Sequence, residues 1–232
     1  MISRHKEKIK NKVIQRLLDN EARISYSQEG EDVVLRRYLD LSKKGYYVDV
    51  GAHHPLRYSN TKYFYDRGWE GINIDADPSL ISAFAELRPR DKNILAGVGS
   101  KRASMFFYIF NHSAINTFDD RIAKQRAKLS GYYIVKKIKV KIQPLSDILK
   151  KNVPKGKIID FMSIDVEGMD LDVLKSNDWG LFRPRYLMVE CLETAYSLDS
   201  VLRDPVAVYL VKKGYVPVAK TLYTVIFGEK NE

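Results

Sequence analysis

Short apolar runs separated by amphipathic stretches set the rhythm of this chain. Tyr46–Val50, Gly71–Asp75, Asn93–Val98, Ile158–Ile164 and Tyr186–Glu190 have strand length and are rich in large apolar side chains. Ile158–Ile164 is nearly continuous in apolar character, the pattern of a strand buried on both faces. Between the runs lie helical patterns: Ser59 to Arg67, stopped by Gly68; Pro78–Leu87, through Leu80, Ile81 and Phe84; a turn at Gly168 and Met169 leading through Leu171 and Leu174; and Val206–Lys213, stopped by Gly214. Ser25-x-x-Gln28 has the form of a capping box and predicts a helix through Val33, Val34 and Leu39 that ends near Gly45. Ala103–Phe110 reads as an antiparallel strand and Ile138–Ile142 as another, and Pro144-Leu-Ser-Asp147 opens a short helix. Tyr215–Val218 and Leu222–Phe227 are spaced to pair as a terminal hairpin. Residues 1–20 predict a charged helix with Ile9, Val13, Leu17 and Leu18 on one face, able to dock on its own domain, a partner or a membrane surface, its own domain or a sister subunit of a homo-oligomer being the plainer choice. The alternation specifies an α/β domain over residues 21–232, with a mostly parallel sheet and an antiparallel end.

The first run carries the most chemistry. Tyr47-Val-Asp-Val-Gly-Ala-His-His-Pro55 is a strand that ends in an acid and a glycine turn, and Gly71-Ile-Asn-Ile-Asp75 follows with an acid at its own carboxyl end. That order is how a doubly wound sheet grips a nucleoside: the glycine lets the backbone approach, and the second acid accepts hydrogen bonds from ribose hydroxyls. A pyrophosphate needs further glycines to close on it at a helix N-terminus. Here His53, His54 and Pro55 stand in the turn. The pattern disfavours NAD or FAD and leaves a nucleoside without a pyrophosphate, of which S-adenosylmethionine is the common one. A plain βα turn with a strand-end acid is the bland alternative.

Composition narrows the setting. No apolar run approaches the roughly 20 residues of a membrane span, and the basic N-terminus lacks the apolar core of a signal peptide. A single cysteine, Cys191, excludes an intramolecular disulfide and a thiolate zinc cluster, so a reducing cytoplasm is the default location. Cys191 follows Glu190 on a buried strand and reads as core. The net charge of +10 favours acidic partners. Its basic residues concentrate in residues 1–16 and in Lys136-Lys-Ile-Lys-Val-Lys141, where alternation puts the charge on one strand face. Solvated faces account for both, and the scattered tyrosines do not form the interleaved platform that nucleic acid would need.

Four segments, Ser27-Gln-Glu-Gly-Glu-Asp32, Val48-Asp-Val-Gly-Ala52, Asn73-Ile-Asp-Ala-Asp-Pro78 and Ser163-Ile-Asp-Val-Glu-Gly168, occur in this order along the chain. Together they resemble the FkbM family of S-adenosylmethionine-dependent methyltransferases, over about residues 25 to 227. The resemblance implies a class I methyltransferase fold, a Rossmann-like sheet of seven strands flanked by helices. It also implies O-methylation, on a sugar hydroxyl or a related natural product. A nucleotide-sugar or surface-polysaccharide pathway is the expected setting. Many members carry Asn-x-Gly after the Gly-Ala, whereas this chain has His53-His-Pro55, so the contact to the methionine end of the cofactor does not carry over there.

On that frame Gln28, Asp49, Gly51, Ala52 and His53 are expected near the methionine portion of the cofactor. Asp75 with Ala76 is expected at the ribose, Gly97 and Val98 along the adenine, Asp165 among the cofactor contacts, and His53 and His54 beside the methyl. An alcohol is a poor nucleophile until it loses its proton, so a base or a metal is needed at the acceptor oxygen. Asp165 and Glu190 end adjacent strands; they are candidates to hold magnesium or manganese, or for one of them to act as base. Capping of the following helix is the structural alternative for Asp165, together with Glu167. His53 or His54 is a further candidate base, but adjacent side chains on an extended segment point apart, so the two do not serve one site. His112 lies in the polar stretch Asn111–Ser130, which is either an acceptor-binding loop or a connector. Arg57 and Lys62 would meet phosphate on an activated sugar. The rival readings are a nicotinamide-dependent oxidoreductase, a basic binding module that keeps the fold, and a nucleic acid methyltransferase. The last lacks the Asn/Asp-Pro-Pro-Tyr-type motif of amino-directed enzymes.

Overall fold

The main sheet reverses its strand order at its centre, and that reversal opens the crevice where the site lies. The computed structural model describes residues 23–191 and 197–230; the helix expected over residues 1–20 lies outside them. Ten strands form two sheets among the described residues: β1 Tyr46–Val50, β2 Glu70–Asp75, β3 Lys92–Leu95, β4 Gly97–Val98, β5 Ala103–Phe110, β6 Ile134–Gln143, β7 Phe161–Ile164, β8 Tyr186–Glu190, β9 Tyr215–Lys220 and β10 Thr224–Glu229. The helices are α1 Glu31–Leu35, α2 Lys62–Asp66, α3 Pro78–Leu87, α4 Asp120–Arg126, α5 Leu145–Asn152, α6 Asp170–Lys175 and α7 Pro205–Lys212. The seven-stranded sheet runs β3-β2-β1-β7-β8-β10-β9, parallel except for β10, which pairs antiparallel with β8 and with β9. This is the expected α/β fold with its antiparallel C-terminal hairpin.

Alternation along each strand sorts the core into two layers. Tyr46, Val48 and Val50 of β1, Met162 and Ile164 of β7, and Leu187 and Val189 of β8 pack with α5, α6 and α7 on one face. Tyr47, Phe161, Met188 and Ile226 face the other way, onto Leu35, Phe64, Tyr65 and Trp69. Asp49 and Ser163 lie on that second face by the same parity, at the carboxyl ends of β1 and β7.

Several boundaries differ from the sequence reading. Asn93–Val98 is not one strand: Lys92–Leu95 pairs with β2, and after Ala96 the chain leaves to pair Gly97–Val98 with β6 in a separate sheet, β4-β6-β5. Gly97 permits the crossing, since a Cβ there would sit 2.4 Å from Ile142 and 2.8 Å from Phe118. Ile158–Ile164 shortens to Phe161–Ile164, because Asp160 uses its carboxylate to accept from the Tyr46 amide at 2.8 Å and Ile158 faces solvent. Ser25 caps nothing. Its hydroxyl donates to the buried Asp32 carboxylate at 2.6 Å, which also binds Arg36, and α1 starts only at Glu31, after Gly30.

Candidate functional site

A cavity of about 520 Å³ opens over the carboxyl ends of β1, β2, β7 and β8. Strand order reverses between β1 and β7, the point where open α/β sheets bind ligands. Gln28, Asp49, Gly51, Ala52, His53, Asp75, Ala76, Gly97, Val98, Asp165 and Glu190 all line it. His54 does not: its Nδ1 accepts from the amides of Leu56 and Arg57 and so closes the turn.

The floor is built by a buried polar relay. Asp49 accepts a hydrogen bond from Thr61 Oγ1 at 2.9 Å, and Thr61 Oγ1 in turn accepts from Arg88 Nη1 at 2.7 Å. Arg88, at the C-terminus of α3, is fully buried and also binds the Pro55 carbonyl and the Ser59 hydroxyl. It thereby fixes the loop that carries Tyr58 and Asn60 into the cavity. Asn60 donates to Ser163 at 3.0 Å. Burial raises the Asp49 carboxyl to about 6, against the hydrogen bond from Thr61 and the positive charge of Arg88.

Gly51 has a reason the sequence did not show. Its φ is +76°, and a Cβ would sit 1.8 Å from the carbonyl oxygen of Asp165, so the protein itself demands the glycine whether or not a ligand is bound. Three residues other than glycine also adopt left-handed backbone among the described residues: His53 at φ 53°, Tyr58 at φ 52° and Glu167 at φ 55°. All of them line this cavity. Strain of this kind costs about 1–3 kcal/mol per residue and collects at functional sites.

At the end of β2, Asp75 accepts from the His53 amide at 2.9 Å through one oxygen and from the Asp77 amide at 2.8 Å through the other. Each oxygen keeps a lone pair for a further donor. Burial raises this carboxyl to about 7. Beside it Ala76, Leu80, Ala96, Val98, Phe107 and Phe118 form an apolar wall. An acid flanked by a flat apolar slot suits a ribose and its base, so the residues fit an adenosyl group.

The far side of the cavity is acidic. Asp165 is open to the cavity yet ringed by protein, and neither it nor Glu190 takes a hydrogen bond or ion pair from the described residues. Desolvation first, then the negative charges of Glu167, Asp170, Asp49 and Glu31, hold Asp165 well above the usual carboxylate range. Desolvation and the charges of Asp165, Glu167 and Asp170 push Glu190 up as well. No side chain caps the helix that follows: α6 begins after Met169 without one, and Asp170 instead accepts from the amides of Val166 and Gly168 in the turn before it. Glu167 is paired with Arg126, whose other nitrogen donates to the Ile115 carbonyl. Among the described residues no three His, Cys, Asp or Glu side chains gather as a metal site. The expectation of magnesium or manganese at Asp165 and Glu190 therefore finds two carboxyls and no third ligand among the described residues.

His53 stacks on Tyr58 and places Nε2 2.9 Å from the Ser113 hydroxyl. Burial and the neighbouring positive groups lower it to about 4, which leaves it neutral and weakly basic at pH 7. The polar stretch 111–130 is not a featureless connector. His112 to Asn116, Phe118 and Arg126 all wall the cavity, and Asn116 donates to Asp77 at 3.2 Å. Lys62 pairs with Asp66 at 2.5 Å, and Arg57 is exposed away from the cavity. Cys191 is buried, and burial raises its thiol, as a core residue requires. Thr61, Arg88 and Arg126 carry no local sequence signal for the site and reach or support it through tertiary contacts.

A family model described as the methyltransferase FkbM domain matches residues 49–217. The structure of methyltransferase FkbM from Methylobacillus flagellatus KT is 14% identical, with a TM-score of 0.48, over 88% of this chain and 48% of that one. The chain thus spans about half the length of that relative. A TehB-like SAM-dependent methyltransferase from Corynebacterium glutamicum is 11% identical with a TM-score of 0.43, over 99% of this chain and 100% of that one. No curated protein matches the chain.

Proposed function

Because the chain belongs to the FkbM methyltransferase family, with the family's domain over residues 49–217, we propose that it moves a methyl group from S-adenosylmethionine to a hydroxyl oxygen of a carbohydrate or related natural product. The observation that carries this reading is one cavity that joins a ribose-suited acid and an apolar slot to two carboxyls, Asp165 and Glu190, that have no hydrogen-bond or ion-pair partner among the described residues.

Bound S-adenosylmethionine supplies a methyl on a sulfonium with a good leaving group, so the protein's work is positioning and management of one proton. Asp75 accepts from the ribose hydroxyls. Gly97 and Val98, with Leu80 and Phe107, flank the adenine, and Gly51 and Ala52 meet the methionine portion. Asp165, raised in basicity by its surroundings, takes the proton of the acceptor hydroxyl. Glu190, pushed up by burial and by the charges of Asp165 and Glu167, keeps a proton at neutral pH and donates a hydrogen bond to the acceptor. His53, held near 4, orients the site and is not the base. The acids around the floor disfavour a phosphate at the reacting oxygen and suit a neutral sugar there; a phosphate on an activated sugar belongs at the mouth.

The test is transfer of labelled methyl from S-adenosylmethionine to a panel of sugars and nucleotide-sugars, with the methylated atom assigned by NMR. The label is expected on oxygen. Asp165→Asn should lower kcat by about a hundredfold or more while cofactor affinity holds. Label on nitrogen or carbon, or full turnover in Asp165→Asn, contradicts the proposal.

A further inference from the structure

The end of the β5–β6 ribbon breaks the rule that consecutive large apolar residues are covered. Tyr132, Tyr133, Ile134 and Val135 stand next to one another and are all exposed, Tyr133 by 62% and Val135 by 59%. Leu129, one turn earlier, is 57% exposed. Such a run is a defect in a surface unless something binds it.

Lysines adjoin it. Lys128 precedes the run and Lys136 follows it, and both are exposed. Beyond them Lys137, Lys139 and Lys141 alternate along β6 and so share one face, about 7 Å apart. Across the strand pair they stand opposite Tyr108, Phe106 and Ser104. Phe106 is half exposed, with the Lys137 ammonium 4.2 Å from its ring centroid. None of these lysines has a carboxylate within ion-pair distance among the described residues. The acids nearby are engaged: Asp120 binds Lys124 and Tyr108, Asp119 caps α4, and Asp147 binds Arg102.

We propose that this ribbon docks the protein on an anionic lipid surface. Tyr132 and Tyr133 would sit at headgroup level, Leu129, Ile134 and Val135 would enter the acyl boundary, and the lysines would meet lipid phosphates. Charge chooses this occupant over a second copy of the chain, which would bring the same unpaired lysines to the contact. The aliphatic members choose it over nucleic acid, which stacks bases on aromatic rings and gains nothing from Leu129 or Val135.

The full chain is to be sedimented with phosphatidylcholine vesicles and with vesicles that also contain phosphatidylglycerol. Binding is expected only to the second, and to weaken with salt. Lys136→Glu/Lys137→Glu/Lys139→Glu should weaken it by roughly a hundredfold or more. Tyr133→Ser/Val135→Ser, which leaves the charges in place, should weaken it by roughly tenfold. Both variants keep the basic residues of the N-terminal segment, so the loss reports on the ribbon. The proposal is overturned if the wild-type chain binds neither vesicle, or if both folded variants bind as the wild type does. It is also overturned if Tyr133→Ser/Val135→Ser dissociates a dimer in light scattering and leaves vesicle binding intact.

Discussion

Arg88 and Asp49 are joined through a single hydroxyl, Thr61 Oγ1, which lies 2.7 Å from the guanidinium and 2.9 Å from the carboxylate. The charges are thus coupled without touching, and the loop between Pro55 and Thr61 is pinned beneath the cavity. Thr61→Val keeps the shape and removes both bonds. It should cost about 3 kcal/mol of stability, because a buried cation and a buried carboxylate each lose a partner. Chemical denaturation checks this; a loss within experimental error would mean that the relay is incidental.

The acids of the floor set a pH dependence of stability. Asp49 titrates near 6 in the fold, above its unfolded value, so the native state binds the extra proton. Its stabilising contribution is complete below the unfolded pKa near 4 and is lost as pH rises through about 6, a change of at most about 3 kcal/mol. Asp75, near 7, acts in the same direction. The ligand-free protein should therefore lose stability between pH 4 and pH 7, and Asp49→Asn should flatten that slope. Melting curves across the interval test both statements.

The strands and their terminal acids were legible because apolar runs of strand length carry their own boundaries, and Asp49, Asp75, Asp165 and Glu190 follow from them. The break at Ala96 was not, since Gly97 and Val98 continue the same apolar pattern while pairing with a strand that starts at residue 134. Nor was the reason for Gly51, which lies in the Asp165 carbonyl of the neighbouring strand. Arg88 reads in sequence as an ordinary basic residue at a helix end, and only the folded loop turns it into the anchor. The capping box failed because Ser25 had a stronger partner in Asp32 than in an amide.

Activity should carry an acid limb. The base must be unprotonated, and Asp165 is raised by burial first and by Glu167 next. Activity should therefore fall as pH drops through a value above the ordinary carboxylate range. Glu167→Gln removes that neighbouring charge and should move the limb to lower pH. A limb that stays put in this variant would take Asp165 out of the role of base.

Arg126 ties α4 to the cavity through Glu167 and the Ile115 carbonyl. Arg126→Ala should loosen the wall formed by residues 112–118. The acceptor KM should rise roughly tenfold while the cofactor Kd stays within about twofold. An equal loss for both ligands would show that the segment serves the whole cavity.

His53 holds a left-handed backbone, which asparagine tolerates and a β-branched residue does not. His53→Asn should stay folded and keep the acid limb, whereas His53→Val should lose about 1–3 kcal/mol of stability. Disappearance of the limb in His53→Asn would return the histidine to the mechanism.

An adenosyl cofactor is expected to bind in this cavity with its ribose on Asp75. Isothermal titration calorimetry with S-adenosylmethionine and S-adenosylhomocysteine, on the wild-type chain and on Asp75→Ala, tests it most directly. Both ligands should bind the wild type, with a loss of roughly tenfold or more in the variant, the cost of two unmade hydrogen bonds to a charged acceptor. No binding to the folded wild-type chain, or equal binding to the variant, would contradict it.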